Sequence, residues 1–262
     1  MDTIQAILLG IVQGVTEFLP VSSSGHLQLA KELLGVELTN NITFDVTLHA
    51  ATVFSTILVL WREVWKLLCG LFATRYTAEQ AYVVKIILSM IPAGIVGVCF
   101  GEEIEALFSS LAFVGAMLML TAALLTFAYY AKPRAKQQIS YRDAFVIGVA
   151  QAAATMPGLS RSGSTIATGL LLGNEKGSTA HFSFLMVIPV ILGKMLLDIC
   201  SGEMGAMSID SAALVAGFAA AFVTGALACK FMIEIVKRGR LIWFACYCAV
   251  VGLLSLGYAI FS

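Results

Sequence analysis

Two short polar segments in an otherwise apolar chain carry the residues that could do chemistry. The first contains Gln13 and Glu17, which are four residues apart, so on a helix their polar groups lie on one face. Pro20 should end that helix, and His26 should lie one turn into the next, where it could exchange a proton near neutral pH. A run of three serines lies between. These are Ser22, Ser23 and Ser24.

The second polar segment centres on Arg161, which has hydroxyl residues on both sides. These are Ser160, Ser162, Ser164 and Thr165. A guanidinium can bind a phosphate through two parallel hydrogen bonds, and the start of a helix offers free backbone N–H groups to an anion. The second segment therefore predicts a phosphate site, and the first supplies a carboxylate, an imidazole and hydroxyl groups.

Each of these features also has a purely structural explanation. Serines at a turn are common helix N-caps, and a lone histidine among helices is more often structural than catalytic. Arg161 could simply form a salt bridge with Glu17. An ionisable residue inside a membrane is nevertheless a functional candidate by default, because an isolated charge is costly there. The functional interpretation is favoured because carboxylate, imidazole and guanidinium occur together.

The composition places these residues in a membrane protein. Of 262 residues, 59% are hydrophobic and 12% are charged, whereas soluble domains are about 45–50% apolar and about 25% charged. The 16 basic residues balance the 16 acidic ones, so we expect no nucleic-acid partner. The first apolar run has no basic leader before it, so we expect no cleavable signal peptide.

Six apolar stretches are long enough to cross a hydrocarbon core of about 30 Å. They are residues 44–61, 83–100, 111–131, 182–199, 212–233 and 241–261. Two further apolar regions, residues 4–36 and 144–173, are interrupted by Pro, Gly and serines, which predicts re-entrant helical hairpins. Irregular backbone at membrane depth must be covered by protein or line a water-filled cavity. The hairpins therefore predict where the functional site lies.

The two interrupted regions are copies of each other. Matched pairs are Gly10 with Gly148, Gln13 with Gln151, Ser22 with Ser160, Ser24 with Ser162, Gly25 with Gly163 and Phe44 with Phe182. Three spans follow each copy, so the second copy starts on the opposite side of the membrane, as in inverted-repeat transporters. We predict an all-α polytopic membrane protein with two inverted repeats, about residues 1–131 and 139–262, in one membrane domain. The two hairpins should meet near the middle of the bilayer.

The copies differ at the positions that carry the chemistry. Thr155 aligns with Glu17, Arg161 with Ser23, and Ser164 with His26. One copy thus supplies the acid and the imidazole, and the other supplies the guanidinium. The loops after the first, third and fifth spans carry Lys and Arg, whereas the loops between them carry acidic residues and neither Lys nor Arg. This asymmetry predicts a cytoplasmic position for the basic loops.

Together these motifs resemble those of the undecaprenyl-diphosphate phosphatase family, also called bacitracin-resistance proteins. The resemblance rests on residues 13–26, on Phe44-Asp-Val-x-Leu-His49 and on Pro157-Gly-x-Ser-Arg-Ser-Gly163, and it covers essentially the whole chain. It implies release of phosphate from undecaprenyl diphosphate, which recycles the lipid carrier of cell-wall synthesis, in the bacterial inner membrane with the site facing outward. The implied partners are the polyprenyl diphosphate and membrane lipids, and a homodimer is left open.

The resemblance also implies roles for single residues. Glu17 matches the family's essential acidic residue, Ser23 and His26 its catalytic pair, and Ser160 and Arg161 its phosphate-binding pair. It further implies a divalent metal, Mg²⁺ or Ca²⁺, at Glu17 and Gln13, although Gln13 stands where many members have Glu. The expected catalytic residues are Glu17, Ser23, His26 and Arg161. The expected substrate-binding residues are Ser22, Ser24, Ser160, Ser162, Ser164 and Thr165.

The main alternative is a carrier or flippase for polyprenyl phosphates, because paired broken helices in inverted repeats are a transporter architecture. A carrier needs the anion site but has less need for a nucleophile and a proton donor, so the residue set favours the phosphatase. Another class of membrane lipid phosphatase requires a histidine six residues after its Ser-Arg pair, where this chain has Ala167. That class is excluded. Attack by Ser23 and attack by water both remain open, as does a direct role for His49.

Overall fold

The computed structural model describes residues 1–36, 42–107, 110–131, 136–200 and 210–261. This part of the chain is helical, and its only β-type pairing is an isolated bridge between Lys136 and Asn174. Its helices are α1 (Thr3–Phe18), α2 (Ser23–Leu33), α3 (Ile42–Val59), α4 (Trp61–Leu71), α5 (Ala78–Cys99), α6 (Gly101–Leu107), α7 (Leu111–Tyr130), α8 (Tyr141–Ala153), α9 (Arg161–Leu171), α10 (Lys176–Cys200), α11 (Ser211–Arg238) and α12 (Ile242–Phe261).

Five of these helices are long and apolar enough to cross a membrane. They are α5, α7, α10, α11 and α12. The first predicted span corresponds to α3, which is followed after a bend of 85° by α4. The predicted polytopic all-α class is therefore confirmed, but a helix occupies residues that the sequence analysis assigned to a cytoplasmic loop. This helix forms because Trp61, Trp65 and Leu68 recur at helical spacing along its exposed apolar face.

The two predicted hairpins are confirmed as helix pairs with a sharp break. In the first, α1 ends at Phe18 and α2 begins at Ser23, and in the second, α8 ends at Ala153 and α9 begins at Arg161. Pro20 and Pro157 lie in the two breaks. Gly158 has a φ of 90° and faces the backbone of Val114 so closely that no side chain would fit. The breaks therefore follow from proline and glycine chemistry.

Corresponding residues of the two copies play the same local roles. Asp2 caps the N-terminus of α1 through the N–H of Gln5, and Ser140 caps α8 through the N–H of Asp143. The matched glycines also behave alike, because a side chain at Gly10 would collide with a backbone carbonyl of α11, and one at Gly148 with a backbone carbonyl of α5. Each hairpin thus packs its first helix tightly against a span of the other half.

The reciprocal packing extends through the fold. Helix α1 packs on α11 and α3, α8 packs on α5, and the last spans of the two halves, α7 and α12, pack on each other. In the pairs α1 with α11, α8 with α5 and α7 with α12, a helix of one half packs on a helix of the other half, which is the arrangement expected of two inverted repeats. The repeat boundaries and the orientation in the membrane remain predictions.

The turns of the two hairpins touch each other inside the protein. The Ser162 hydroxyl donates a hydrogen bond of 3.1 Å to the Leu19 carbonyl. A Cβ atom built on Gly163 would lie 3.2 Å from the Cβ of Pro20. Nearby, Phe18 packs edge to face on Phe184 within the main hydrophobic core. The hairpins therefore meet, as predicted, and their depth in the bilayer remains a prediction.

Candidate active site

Glu17 is the centre of the polar cluster between the hairpins. Its side chain is 7% exposed. One carboxylate oxygen, Oε1, accepts a 2.5 Å hydrogen bond from Nη2 of Arg161. The other, Oε2, accepts hydrogen bonds from the Ser23 hydroxyl at 2.7 Å and from the Gln13 amide at 3.0 Å. One buried carboxylate therefore joins the polar segments of both copies.

The local sequence explains how the first hairpin places these groups. Gln13 and Glu17 are stacked one helical turn apart on α1, and Ser23 is the first residue of α2. Between them, Ser22 has a φ of 70°, the only positive value for a non-glycine residue among the described residues. Such a conformation costs about 1–3 kcal/mol and is typical of functional sites. It turns the chain so that the Ser23 hydroxyl reaches back to Glu17.

The second hairpin places Arg161 at the start of a helix. The Ser160 hydroxyl caps α9 by accepting the N–H of Gly163 at 3.1 Å, and the Ser160 N–H is itself held by the Thr121 hydroxyl at 3.1 Å. Arg161 is therefore the first residue of a well-fixed helix, and its side chain is 17% exposed. A guanidinium and the positive end of a helix dipole thus occupy the same place, which favours an anion.

The hydroxyl residues around Arg161 are buried and mostly serve the packing. Ser162 bonds to Leu19, and Thr165 bonds to the Ser183 hydroxyl at 2.6 Å. Ser164 is different, because its buried hydroxyl has no hydrogen-bond partner among the described residues. In the first copy, the Ser22 and Ser24 hydroxyls lie 3.4 Å apart. The predicted substrate-binding hydroxyls therefore lie at the starts of α2 and α9, and Ser160, Ser162 and Thr165 among them are committed to structural bonds.

His26 lies beside the cluster but is not bonded to Ser23, which the resemblance pairs with it. Its Nδ1 is 2.9 Å from the Ser22 carbonyl, and its Nε2 is 2.6 Å from the Tyr247 hydroxyl. The Ser23 hydroxyl instead donates to Glu17. The Ser23 hydroxyl is therefore in hydrogen-bond contact with the Glu17 carboxylate rather than with the imidazole, because the turn at Ser22 (φ 70°) brings the first residue of α2 back to α1.

Two further residues join the site. His49 lies with Nδ1 at 3.0 Å from the Gln13 amide nitrogen and 3.9 Å from Glu17 Oε2. The motif Phe44-Asp-Val-x-Leu-His49 is the sequence signal for it. Tyr247 has no such signal, because a tyrosine in an apolar span is usually only a packing residue.

The metal implied by the resemblance can be compared with the donors present. Within the described residues, no group of three His, Cys, Asp or Glu side chains could hold an ion. The cluster offers the Glu17 carboxylate and Gln13, whose Oε1 is buried without a partner. Mg²⁺ commonly uses one or two carboxylates together with substrate phosphates and water. The residues therefore fit an ion that enters with a diphosphate rather than one held by the protein alone.

Comparison with known proteins identifies the family of this chain. The sequence profile of the bacitracin resistance protein BacA matches residues 6–254. The chain belongs to this family. Similar members are the undecaprenyl-diphosphatases of Bacteroides fragilis, 57% identical over 260 residues, and of Parabacteroides distasonis, 58% identical over 260 residues, with 98% of both chains covered in each case. A more distant member, the undecaprenyl-diphosphatase of Methanosphaera stadtmanae, is 35% identical over 276 residues, with 98% of both chains covered. The family match spans both hairpins and Tyr247.

Proposed function

We propose that this chain is a phosphatase that converts undecaprenyl diphosphate into undecaprenyl phosphate and inorganic phosphate. The observation that carries the proposal is the contact of one buried carboxylate, Glu17, with both the Ser23 hydroxyl and the Arg161 guanidinium. A base, a nucleophile and a phosphate-binding cation are thereby within reach of one substrate group. The undecaprenyl-diphosphatase activity named for relatives more than 50% identical supports this substrate.

Arg161 would bind the terminal phosphate. A guanidinium has five N–H donors. Nη2 donates to Glu17 and Nη1 donates a long hydrogen bond of 3.5 Å to the Ser183 carbonyl, so donors remain for phosphate oxygens. Phosphoryl transfer depends mainly on positioning and on neutralising the charge of the transferred group. When Arg161 turns toward the phosphate, the buried Glu17 carboxylate loses part of its counter-charge, which favours uptake of a proton.

The nucleophile would be the Ser23 hydroxyl or a water molecule held beside Glu17. Glu17 Oε2 takes the proton as the nucleophile's oxygen attacks the terminal phosphorus, and the bond from that phosphorus to the bridging oxygen breaks. The prenyl monophosphate leaves with the electron pair of that bond. If Ser23 attacks, water hydrolyses the phosphoserine in a second step. His26, one turn further along α2, would take a proton from solvent and, as the imidazolium, donate it on the side of the leaving group.

A divalent ion, Mg²⁺ or Ca²⁺, would supply positive charge that offsets the negative charge of the diphosphate. Glu17 and Gln13, the latter through its unpartnered Oε1, are the residues that would hold it. We place the protein in the bacterial inner membrane with the site open to the outer side, and the prenyl tail between the spans. An oligomer is not required, because both hairpins of the site belong to one chain.

The direct test is phosphate release from undecaprenyl diphosphate by the purified protein in detergent, with and without EDTA. We expect release that stops with the chelator and returns with Mg²⁺ or Ca²⁺. The Gln13→Glu variant supplies a second carboxylate, so we expect it to reach half-maximal rate at a metal concentration roughly tenfold lower, because carboxylate count sets affinity for such ions.

The outcomes test the metal requirement and the phosphatase activity separately. Full activity in EDTA would remove the metal from the proposal and leave the phosphatase. No phosphate release by folded protein would reject the phosphatase and favour the carrier, whose activity would be measured as lipid translocation in liposomes. In detergent only phosphate release can be measured, because transport requires a sealed membrane.

A further inference from the structure

Tyr247 contacts the imidazole of His26 through a hydrogen bond and a ring contact. Its hydroxyl lies 2.6 Å from His26 Nε2, and the two rings are nearly parallel, with an interplanar angle of 21° and centroids 5.6 Å apart. Tyr247 belongs to α12 and His26 to α2, so the contact joins the last span of the second half to the first hairpin. Tyr247 belongs to none of the polar motifs of the sequence and has no role in the proposed mechanism.

The hydrogen bonds define the protonation of the ring. Nδ1 faces the Ser22 carbonyl at 2.9 Å, and because a carbonyl can only accept, Nδ1 carries the proton. In the neutral ring Nε2 is then the acceptor, so the Tyr247 hydroxyl donates to it. The atom of His26 that can exchange a proton during a reaction is therefore Nε2, which faces Tyr247.

The two contacts together fix the direction of the ring. Nδ1 is tied to the residue with the strained backbone, Ser22 at φ 70°, which folds the imidazole back over the start of its own helix. That bond alone leaves the Nε2 edge free to rotate, whereas the tyrosine hydroxyl holds the opposite edge. Ser23, on the same helix, is bonded to Glu17 instead. His26 and Ser23 thus point to two ends of one site.

We propose that Tyr247 is a positioning residue for His26, holding Nε2 on the α12 side of the site. There the ring would take a proton from solvent at Nε2 and, as the imidazolium, donate it to the leaving prenyl phosphate and return to the neutral form. The inference rests on the proposed function. The terminal phosphate would lie at Arg161 and Glu17, which are largely buried, and the lipid-linked phosphate would lie toward His26 and Tyr247. Tyr247 is 44% exposed, so this edge of the site opens toward the surroundings of the protein. A substrate with a long apolar tail needs such an opening.

The Tyr247→Phe variant tests the role, because it keeps the ring and removes only the hydroxyl. We expect kcat for phosphate release to fall roughly tenfold, equivalent to about 1.4 kcal/mol, with KM changed by less than about twofold. Tyr258→Phe is the matched control, since Tyr258 is an exposed tyrosine of the same helix. The control should keep the wild-type kcat and KM.

A double-mutant cycle separates positioning from general packing. If Tyr247 acts through His26, Tyr247→Phe should have almost no further effect in a His26→Ala background. An equal tenfold loss in both backgrounds would overturn the proposal, because it would show that the hydroxyl acts independently of the histidine. Unchanged kcat in the single Tyr247→Phe variant would also overturn it.

A spectroscopic measurement tests the contact without any activity. The chain has three histidines, so ¹⁵N spectra of the imidazoles can be assigned with a His26→Ala variant. In Tyr247→Phe, the unprotonated Nε2 resonance of His26 should move toward the value of a nitrogen without a hydrogen bond, and in Tyr258→Phe it should stay. An unmoved resonance in Tyr247→Phe would overturn the proposal. Wild-type protein that releases no phosphate would instead contradict the proposed function, and the spectra would still decide the contact.

Discussion

The Arg161→Ala variant is expected to release phosphate from undecaprenyl diphosphate at least about a thousandfold more slowly than the wild type. Loss of a cation that stabilises a transferring phosphoryl group lowers kcat by about 10³–10⁵ in well-studied enzymes. In this fold Arg161 begins α9 and reaches Glu17 at 2.5 Å, so its guanidinium lies in the polar cluster between the hairpins. The measurement is the initial rate of phosphate release by purified variants at saturating metal.

A loss of folding must be separated from a loss of chemistry. Removing Arg161 leaves the Glu17 carboxylate buried without its partner, and breaking such a pair can cost about 3–5 kcal/mol. The double variant Glu17→Gln with Arg161→Gln removes both charges, so it should recover thermal stability in detergent and remain inactive. Arg161→Lys keeps the charge but loses the paired hydrogen bonds, and we expect an intermediate rate, about a hundredfold below wild type.

The chain offers a matched control for this pair. Arg238 and Glu234 form an ion pair at 2.8 Å whose side chains are more than half exposed. Exposed pairs of this kind contribute about 0–1 kcal/mol. Arg238→Ala should therefore leave both phosphate release and thermal stability close to wild type. Near-normal phosphate release by Arg161→Ala would contradict its assignment to the phosphate.

The second large effect is expected at Glu17. Glu17→Gln has almost the same shape but cannot take up the proton of Ser23 or of a water molecule, so we expect phosphate release to fall about a thousandfold. General-base catalysis typically contributes about 10²–10⁴. Glu234→Gln is the exposed control and should be active. The same rate measurement applies, with thermal stability in detergent recorded for every variant.

The pH dependence of the residual rate shows whether Glu17→Gln loses activity because a general base is missing or because Arg161 is no longer held. If Glu17 acts as the base, a remaining slow rate in Glu17→Gln should increase with pH, because hydroxide can replace the missing base. If Glu17 served only to hold Arg161, the slow rate would keep the wild-type pH profile. Retention of more than about a tenth of the wild-type rate by Glu17→Gln would contradict both roles.

Much of this arrangement could be predicted from the sequence, because its causes are local or repeated. Proline and glycine between apolar stretches predict the two breaks, and the inverted repeat predicts that the two hairpins meet. The meeting of Glu17 with Arg161 follows from these two facts. Each inference uses a pattern within about thirty residues or a comparison of the chain with itself.

Other parts of the site could not be predicted, for physical reasons. Ser23 and His26 lie three residues apart, so a spacing argument pairs them, whereas the strained turn at Ser22 sends Ser23 to Glu17. The contact of His26 with Tyr247 joins residues 221 positions apart. A single tyrosine in an apolar helix gives no sign of such a partner. Helix α4 was missed because charged residues among its aromatic ones resemble a basic loop.

The hydroxyl residues show a further limit of sequence reasoning. Serine and threonine have the same chemistry whether they bind a ligand, cap a helix or join two helices. Ser160 caps α9, and Thr165 bonds to Ser183. Only the packing of neighbouring helices decides which hydroxyl groups remain available. Ser164, with its unpartnered buried hydroxyl, remains available for a bound group.

The most direct test of the central claim is a cross-link between the two hairpin turns. A Cβ on Gly163 would lie 3.2 Å from the Cβ of Pro20, close to the separation of about 3.5–4.5 Å found in disulfides. With the native cysteines replaced, the variant carrying Pro20→Cys and Gly163→Cys should form a disulfide on mild oxidation in native membranes. The control, Pro20→Cys with Gly193→Cys on the open side of α10, should keep its thiols free. Free thiols in the first variant, in folded protein, would contradict the meeting of the hairpins on which the site depends.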